Sequence, residues 1–356
     1  MACIVLEDGS VYKGTAFGYK GDVIGEIVFN TGMSGYQELL TDPSYHGQIV
    51  TMTYPLIGNY GVNTKDAESD SVKVSGFIVH ELCAAPSNWL ADETLDQYLK
   101  WNGVCGISGV DTRALTRKIR ERGTMAAMIK QGDFEPEDIE KLRGFYIVKP
   151  VDAVTCKEKY RIPAAGKRVA VIDLGLKRSM LKALSRRGCD LTVFPAHTPA
   201  DEILDGGFDG VLLSNGPGNP KDNDFIIEQV KIFMRRLPVF GICLGFQLMA
   251  LAQGAGTFKL HYGHRGSNHP VGDIDMKRTF ITSQNHGYAV KEDSIPKVCR
   301  LTHTNRNDGT VEGIEFSEKC FGVQFHPEAS AGPKDTEYLF NKFVSLMDGG
   351  GAIAKG

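Results

Sequence analysis

The sequence predicts an α/β protein of two domains, a smaller mixed α/β domain followed by a doubly wound, mostly parallel sheet. Three observations lead there. The chain has 356 residues, more than one average domain holds. From Lys167 onward, apolar strand-length runs alternate with amphipathic helix-length segments, the pattern of a parallel sheet covered on both faces. Up to about residue 150 the chain shows a different texture, with short strand candidates separated by turn signals. The expected division is a first domain at 1–150, a linker at 151–166 and a second domain at 167–350.

In the first domain, 1–7 and 11–17 are apolar strand candidates divided by Asp8-Gly9, a strong hairpin signal. Residues 25–30 and 48–53 are further strands. Residues 110–121 form a helix, capped by Asp111 and Thr112, with Leu115 and Ile119 on one face and Gly123 ending it. Pro150 and mixed charges without a period mark the linker. In the second domain, strands are expected at 168–175, 189–195, 208–213 and 237–241, with helices at 178–187 and 224–236. A small-residue tail, 349–356, is expected to fray.

The charge balance is −3 and gives no reason to expect nucleic acid or an anionic membrane as a partner. The eight cysteines are scattered without a C-x-x-C pair, so neither a zinc site nor a disulfide framework is indicated. Free thiols fit a reducing, cytoplasmic setting. The N-terminus has no signal-peptide pattern, and no stretch approaches the roughly 18 apolar residues of a membrane span.

The chemistry centres on Cys243, in Phe240-Gly241-Ile242-Cys243-Leu244-Gly245-Phe246-Gln247. A buried strand, a sharp turn and an apolar helix in that order read as a nucleophile elbow. Gly241 and Gly245, two positions either side, permit a tight turn, and a thiol at a helix N-terminus is favoured as the thiolate. His326 is the candidate base and Glu328 its orienter, two residues apart on what reads as an extended segment, so that both side chains point the same way. The N–H of Leu244 and the Gly216-Pro217-Gly218 turn are the candidate oxyanion donors. His261, His264, His269 and His286 crowd one loop-like stretch, but ligand spacing does not support a metal there. The absence of a P-loop pattern gives no evidence for ATP on this chain. A basic helix face around Arg113 to Arg120 is either solvated or a partner contact.

Gly-Ile-Cys-Leu-Gly-x-Gln, then Gln284-Asn285-His286-Gly287-Tyr288, then Gln324-Phe325-His326-Pro327-Glu328, resemble the class I (triad) glutamine amidotransferases. In the first domain, Asn30-Thr31-Gly32-Met33-Ser34-Gly35-Tyr36-Gln37-Glu38, Thr41-Asp42-Pro43-Ser44-Tyr45, Tyr54-Pro55-Leu56-Ile57-Gly58-Asn59-Tyr60-Gly61 and Gly109-Val110-Asp111-Thr112-Arg113-Ala114-Leu115-Thr116 are similar to the small chains of carbamoyl-phosphate synthetase. The resemblance covers essentially the whole chain. It implies a flavodoxin-like second domain and a catalytic set of Cys243, His326 and Glu328. It implies glutamine contacts from Ser44, Gly216, Gly218, Leu244, Gln247, Asn285, Gly287 and Tyr288, with Ser44 closing the site from the first domain. Glutamine would be hydrolysed through a γ-glutamyl thioester, and ammonia would pass to a separate large chain that makes carbamoyl phosphate from bicarbonate for pyrimidines and arginine. The resemblance implies no metal or cofactor on this chain, ATP and magnesium being expected on the large chain. Higher oligomers of the heterodimer stay open. Phe246 and Tyr288 depart from the family pattern, standing where a polar residue and a phenylalanine are common. A stand-alone hydrolase of γ-glutamyl compounds and a non-catalytic regulatory subunit are the competing readings.

Overall fold

A computed structural model describes residues 1–349, which form two compact units, Met1–Pro150 and a second beginning at Val151. Residues 350–356, the greater part of the expected tail, lie outside the described residues.

The first unit is built on a closed barrel of seven strands. They are β1 (Ala2–Leu6), β2 (Val11–Gly18), β3 (Val23–Asn30), β4 (Gln48–Met52), β5 (Gly76–Ile78), β6 (Cys105–Ser108) and β7 (Met125–Gln131), in the spatial order β1-β2-β6-β5-β4-β3-β7 and back to β1. The Asp8-Gly9 turn joins β1 to β2, with Gly9 at φ 84° and the Ser10 N–H on the Asp8 carboxylate. All five residues of β1 are buried, as an unbroken Ala-Cys-Ile-Val-Leu run requires. Helix α1 (Thr112–Arg122) packs Leu115 and Ile119 inward. Asp111 caps it by accepting the Ala114 N–H, and the Gly123 N–H closes it on the Ile119 carbonyl. Barrel closure was not foreseen, because pairings such as β1 with β7 join segments more than a hundred residues apart.

The second unit holds a ten-stranded sheet. Its strands are β8 (Tyr160–Ile162), β9 (Arg168–Asp173), β10 (Asp190–Pro195), β11 (Gly210–Leu213), β12 (Val239–Ile242), β13 (Thr257–Asp273), β14 (Arg278–Val290), β15 (Arg300–Asn305), β16 (Val311–Ser317) and β17 (Cys320–Val323). The order is β8-β10-β9-β11-β12-β17-β16-β15-β13-β14. The five strands β10-β9-β11-β12-β17 are parallel, and antiparallel strands extend the sheet on both sides. Strand periodicity assigns the two faces. Ala170 and Ile172 enter one core with Val211, Leu213 and Val239, whereas Val169 and Val171 enter the other with Leu212, Phe240 and Ile242. Helices α3 (Asp224–Arg236) and α4 (Leu244–Ala252) cover the first face; α2 (Arg178–Ser185) and α5 (Tyr338–Met347) cover the second.

Two segments differ from expectation. Within 151–166, read as linker, β8 pairs with β10 at the sheet edge, and Arg161 forks onto the Asp190 carboxylate at 2.8 and 2.6 Å. The histidine-rich stretch, read as loop, is strand β13 for His261, His264 and His269, with His286 on β14. The register of β13 shifts twice, at Lys259/His264 and Gly266/His269, and these irregularities absorb the glycines that hide its strand character.

Phe240, fully buried on β12, stacks on Phe321 at 4.5 Å between ring centroids and meets Phe340 edge-on at 5.6 Å. Phe240→Ala is expected to destabilise the chain by about 3–5 kcal/mol, read from the shift in a denaturant unfolding midpoint.

Candidate active site

Cys243 stands where β12 hands over to α4, with φ 53° and ψ −105°. A non-glycine residue in that region is strained and must be held by its surroundings. Its N–H donates to the Val323 carbonyl (2.9 Å) and the Gly245 N–H to the Ser214 carbonyl (3.1 Å), tying the turn to both neighbouring strands. The two glycines are required by close approach. A methyl group on Gly241 would lie 2.8 Å from the Phe246 nitrogen, and one on Gly245 would lie 2.4 Å from the Leu213 carbonyl oxygen. Leu244 opens α4, so its N–H is among the first-turn donors that a helix leaves without an intrahelical acceptor. Phe246 points to the opposite face of the sheet, against Phe316.

His326 follows β17. Its N–H donates to the Ser283 carbonyl on β14 at 2.9 Å. Its Nδ1 lies 2.7 Å from Glu328 Oε1. The two side chains meet across a turn at Pro327, closed by the Ala329 N–H on the His326 carbonyl, rather than along an extended strand. Nε2 has no well-aligned hydrogen-bond partner, and the Cys243 thiol interacts with the ring. That thiol donates to the Asn285 carbonyl at 3.6 Å. All three side chains are buried.

Lys177 completes the arrangement and had escaped the sequence reading. It is 3% exposed, and its Nζ donates to Glu328 Oε1 at 2.9 Å and to the Ala329 carbonyl at 3.0 Å. Burial opposes ionisation of Glu328, but the charges of Lys177 and His326 outweigh it and lower the carboxyl to about 2. Burial likewise opposes the His326 imidazolium. Glu328 and the contact with Cys243 prevail and raise the ring to about 10, against a smaller opposing effect of Lys177. A lysine just beyond the carboxyl end of a parallel strand was the available signal, since ligands gather at that edge of such sheets.

The remaining expected residues fall as follows. Gly216 packs against the elbow, because a methyl group there would lie 2.7 Å from Leu244 Cδ2. Gly218, at φ 90°, is in an exposed part of the same turn. Gln247 donates through Nε2 to the Tyr288 carbonyl (2.8 Å) and to Gln324 Oε1 (2.9 Å), so in this structure its amide nitrogen joins α4 to β14. Asn285, Gly287 and Tyr288 lie along β14, and a methyl on Gly287 would meet Arg265 Nη2 at 3.3 Å. Ser44 belongs to the first unit, buried in a single 3₁₀ turn with its N–H on Asp42 Oδ1.

His264, His286 and Glu312 bring potential ligand atoms within 4.8 Å of one another. The rings already have protein partners. His264 Nε2 lies 2.7 Å from Asp308, and His286 lies 2.8 Å from the Tyr288 carbonyl and 3.0 Å from Gln284. Burial works against His264 protonation, but Asp308 and Glu312 overcome it and raise the ring to about 9. The cluster joins β13, β14 and β16 through His264, His286 and Glu312, with His286 itself part of the Asn285–Tyr288 segment.

The model of the carbamoyl-phosphate synthase small chain, CPSase domain, matches residues 4–129, and that of the class-I glutamine amidotransferases matches 170–346. The carbamoyl phosphate synthase small chain of Clostridium perfringens is 51% identical over 345 residues, 96% of this chain and 98% of the relative. The chain belongs to the carbamoyl-phosphate synthase small-chain family. The small chain of Bacillus caldolyticus is likewise 51% identical, over 97% of this chain and 96% of its own. A small chain named pyrimidine-specific, from Halalkalibacterium halodurans, is 50% identical over 97% of this chain and 96% of the relative. The class-I amidotransferase match follows the small-chain CPSase-domain match along the sequence, and Cys243, His326 and Glu328 all lie within it.

In this small chain, Glu328→Gln removes the charge that lifts His326, leaving burial to act on the ring. The His326 pKa is expected to fall from about 10 toward or below the ordinary imidazole value. Any step needing the imidazolium then fails at lower pH. The alkaline limb of the kcat–pH profile for glutamine hydrolysis should move to lower pH, with the acid limb little changed.

Proposed function

We propose that the second unit hydrolyses glutamine through a thioester on Cys243 and that the ammonia serves a large ATP-using chain that makes carbamoyl phosphate. The observation that carries this reading is the buried Cys243–His326–Glu328 set at a strand-to-helix elbow, with Lys177 sharing the Glu328 oxygen that meets His326. The Cys243 sulfur attacks the side-chain carbonyl carbon of glutamine with the proton of the Cys243–His326 pair held on the ring. Negative charge develops on the carbonyl oxygen, where the first-turn N–H of Leu244 and the turn at Gly216 supply the donors. Collapse breaks the C–N bond, His326 gives its proton to the departing nitrogen, and ammonia leaves a γ-glutamyl thioester. Water, deprotonated by His326, then attacks the thioester carbonyl; glutamate departs and the thiolate is restored. Glu328 holds Nδ1 and stabilises the imidazolium that starts the cycle and is restored when water is deprotonated.

The glutamine contacts proposed are Ser44, Gly216, Gly218, Leu244, Gln247, Asn285, Gly287 and Tyr288, with the strand Asn285–Tyr288 facing the substrate's α-amino and α-carboxylate groups. The first unit is proposed as the docking element for the large chain. No metal or cofactor is assigned to this chain; ATP and magnesium belong with the large chain. Use of the product for pyrimidines is supported by the name of one relative, and use for arginine remains part of the same proposal. Among the described residues no helix is long and apolar enough to cross a membrane, and a cytoplasmic setting is proposed on the unpaired cysteines.

Cys243→Ser should abolish glutamine-dependent synthesis by the two-chain complex while added ammonia still supports it; equal loss of both would refute the assignment. His326→Asn should lower glutamine hydrolysis by about 10²–10⁴-fold, and Glu328→Gln by less, since orientation contributes less than proton transfer. Glutamate release by the isolated chain should be slow and should rise when the large chain, ATP and bicarbonate are added. A partner-independent rate would favour a stand-alone hydrolase.

A further inference from the structure

Lys177 reaches a fixed carboxylate on a long, flexible stem, so its contact with Glu328 depends on where its own backbone is held. The loop carrying it, Leu174 to Lys177, runs from the end of β9 into α2. Every backbone N–H of that loop is taken by a side chain. Leu174 donates to Ser214 Oγ (2.9 Å), Gly175 and Leu176 donate to Asp173 Oδ1 (2.9 and 2.8 Å), and Lys177 donates to Asn215 Oδ1 (3.3 Å). Asp173, the last residue of β9, is buried, and its other oxygen accepts the Cys156 N–H at 2.8 Å. One carboxylate therefore fixes the middle of the loop and anchors it to the chain entering the sheet. Gly175, at φ 129°, occupies a conformation open chiefly to glycine, so the path of the loop over the Asp173 carboxylate depends on glycine there.

We propose that Asp173 is a positioning residue for glutamine hydrolysis, holding the 174–177 loop so that the Lys177 ammonium stands on Glu328 and keeps the His326 orienter in place. The inference rests on the triad reading above. Loss of Lys177 frees the Glu328 carboxylate to shift, and with it the His326 ring whose Nδ1 it holds; a base displaced by even an ångström loses much of its rate. Asp173 does not touch the reacting atoms, so its effect must pass through Lys177.

The test is a double-mutant cycle in the complete two-chain enzyme, measuring kcat and KM for glutamine hydrolysis and the rate of ammonia-dependent synthesis. Asp173→Ala and Lys177→Met are each expected to lower the hydrolytic kcat by about 10–100-fold, with KM changed far less and ammonia-dependent synthesis retained. The double variant should be no worse than Lys177→Met alone, because both changes break one link. Asp173→Asn, which keeps one oxygen for Gly175 and Leu176, should recover most of the lost kcat. Multiplying losses in the double variant would overturn the proposal, as would a rise in KM alone. If Asp173→Ala does not assemble with the large chain, the cycle is run with Asp173→Ser, whose shorter side chain withdraws the acceptor from Gly175 and Leu176, and Lys177→Met, and the same distinction between shared and multiplied losses decides. Failure of the triad reading would be seen separately, as glutamine-dependent synthesis surviving Cys243→Ser.

Discussion

The fully buried Glu328 carboxylate is the constraint around which the second unit is arranged. A carboxylate taken out of water is costly unless charges and donors replace the solvent. Here the His326 imidazole and the Lys177 ammonium meet the same oxygen, at 2.7 and 2.9 Å, from opposite parts of the chain. The result is a carboxylate that stays ionised across the physiological range and an imidazole that binds a proton firmly. Removing one member leaves the others buried with an uncompensated charge, so the three residues must be present together.

The elbow imposes a second constraint, of shape rather than charge. Cys243 can keep its strained backbone only because β11 and β17 hold the turn from both sides and the glycines at 241 and 245 let α4 descend onto the sheet. The sheet's parallel centre therefore serves the chemistry directly. Its carboxyl ends deliver Lys177 after β9, the Gly216 turn after β11, Cys243 after β12 and His326 after β17. Four consecutive neighbours in the sheet converge on one edge, as strands running the same way must.

What could be read in advance follows from how local each signal is. Cys243 is legible because strand, small residues and helix follow one another directly in the sequence, from Val239 to Ala252. His326 and Glu328 are legible as a pair because they are two residues apart. Lys177 is not, since its partner lies 151 residues away and nothing beside it in sequence announces a buried cation. The parallel strands show as apolar runs. The long β13 does not, because its two register shifts break the alternation that would reveal it. The barrel of the first unit yields its individual strands but not its closure, which depends on pairings such as β2 with β6 and β3 with β7.

That closure limits how the first unit can meet another protein. An open sheet offers a row of free amides and carbonyls on which a foreign strand can be laid, a mode of recognition largely indifferent to side chains. In the barrel, each of the seven strands has a neighbour on either side. Association there cannot proceed by extending the barrel sheet. It must be written in side chains, in helices such as α1 and in the loops between strands, where charge and shape discriminate between one partner and another.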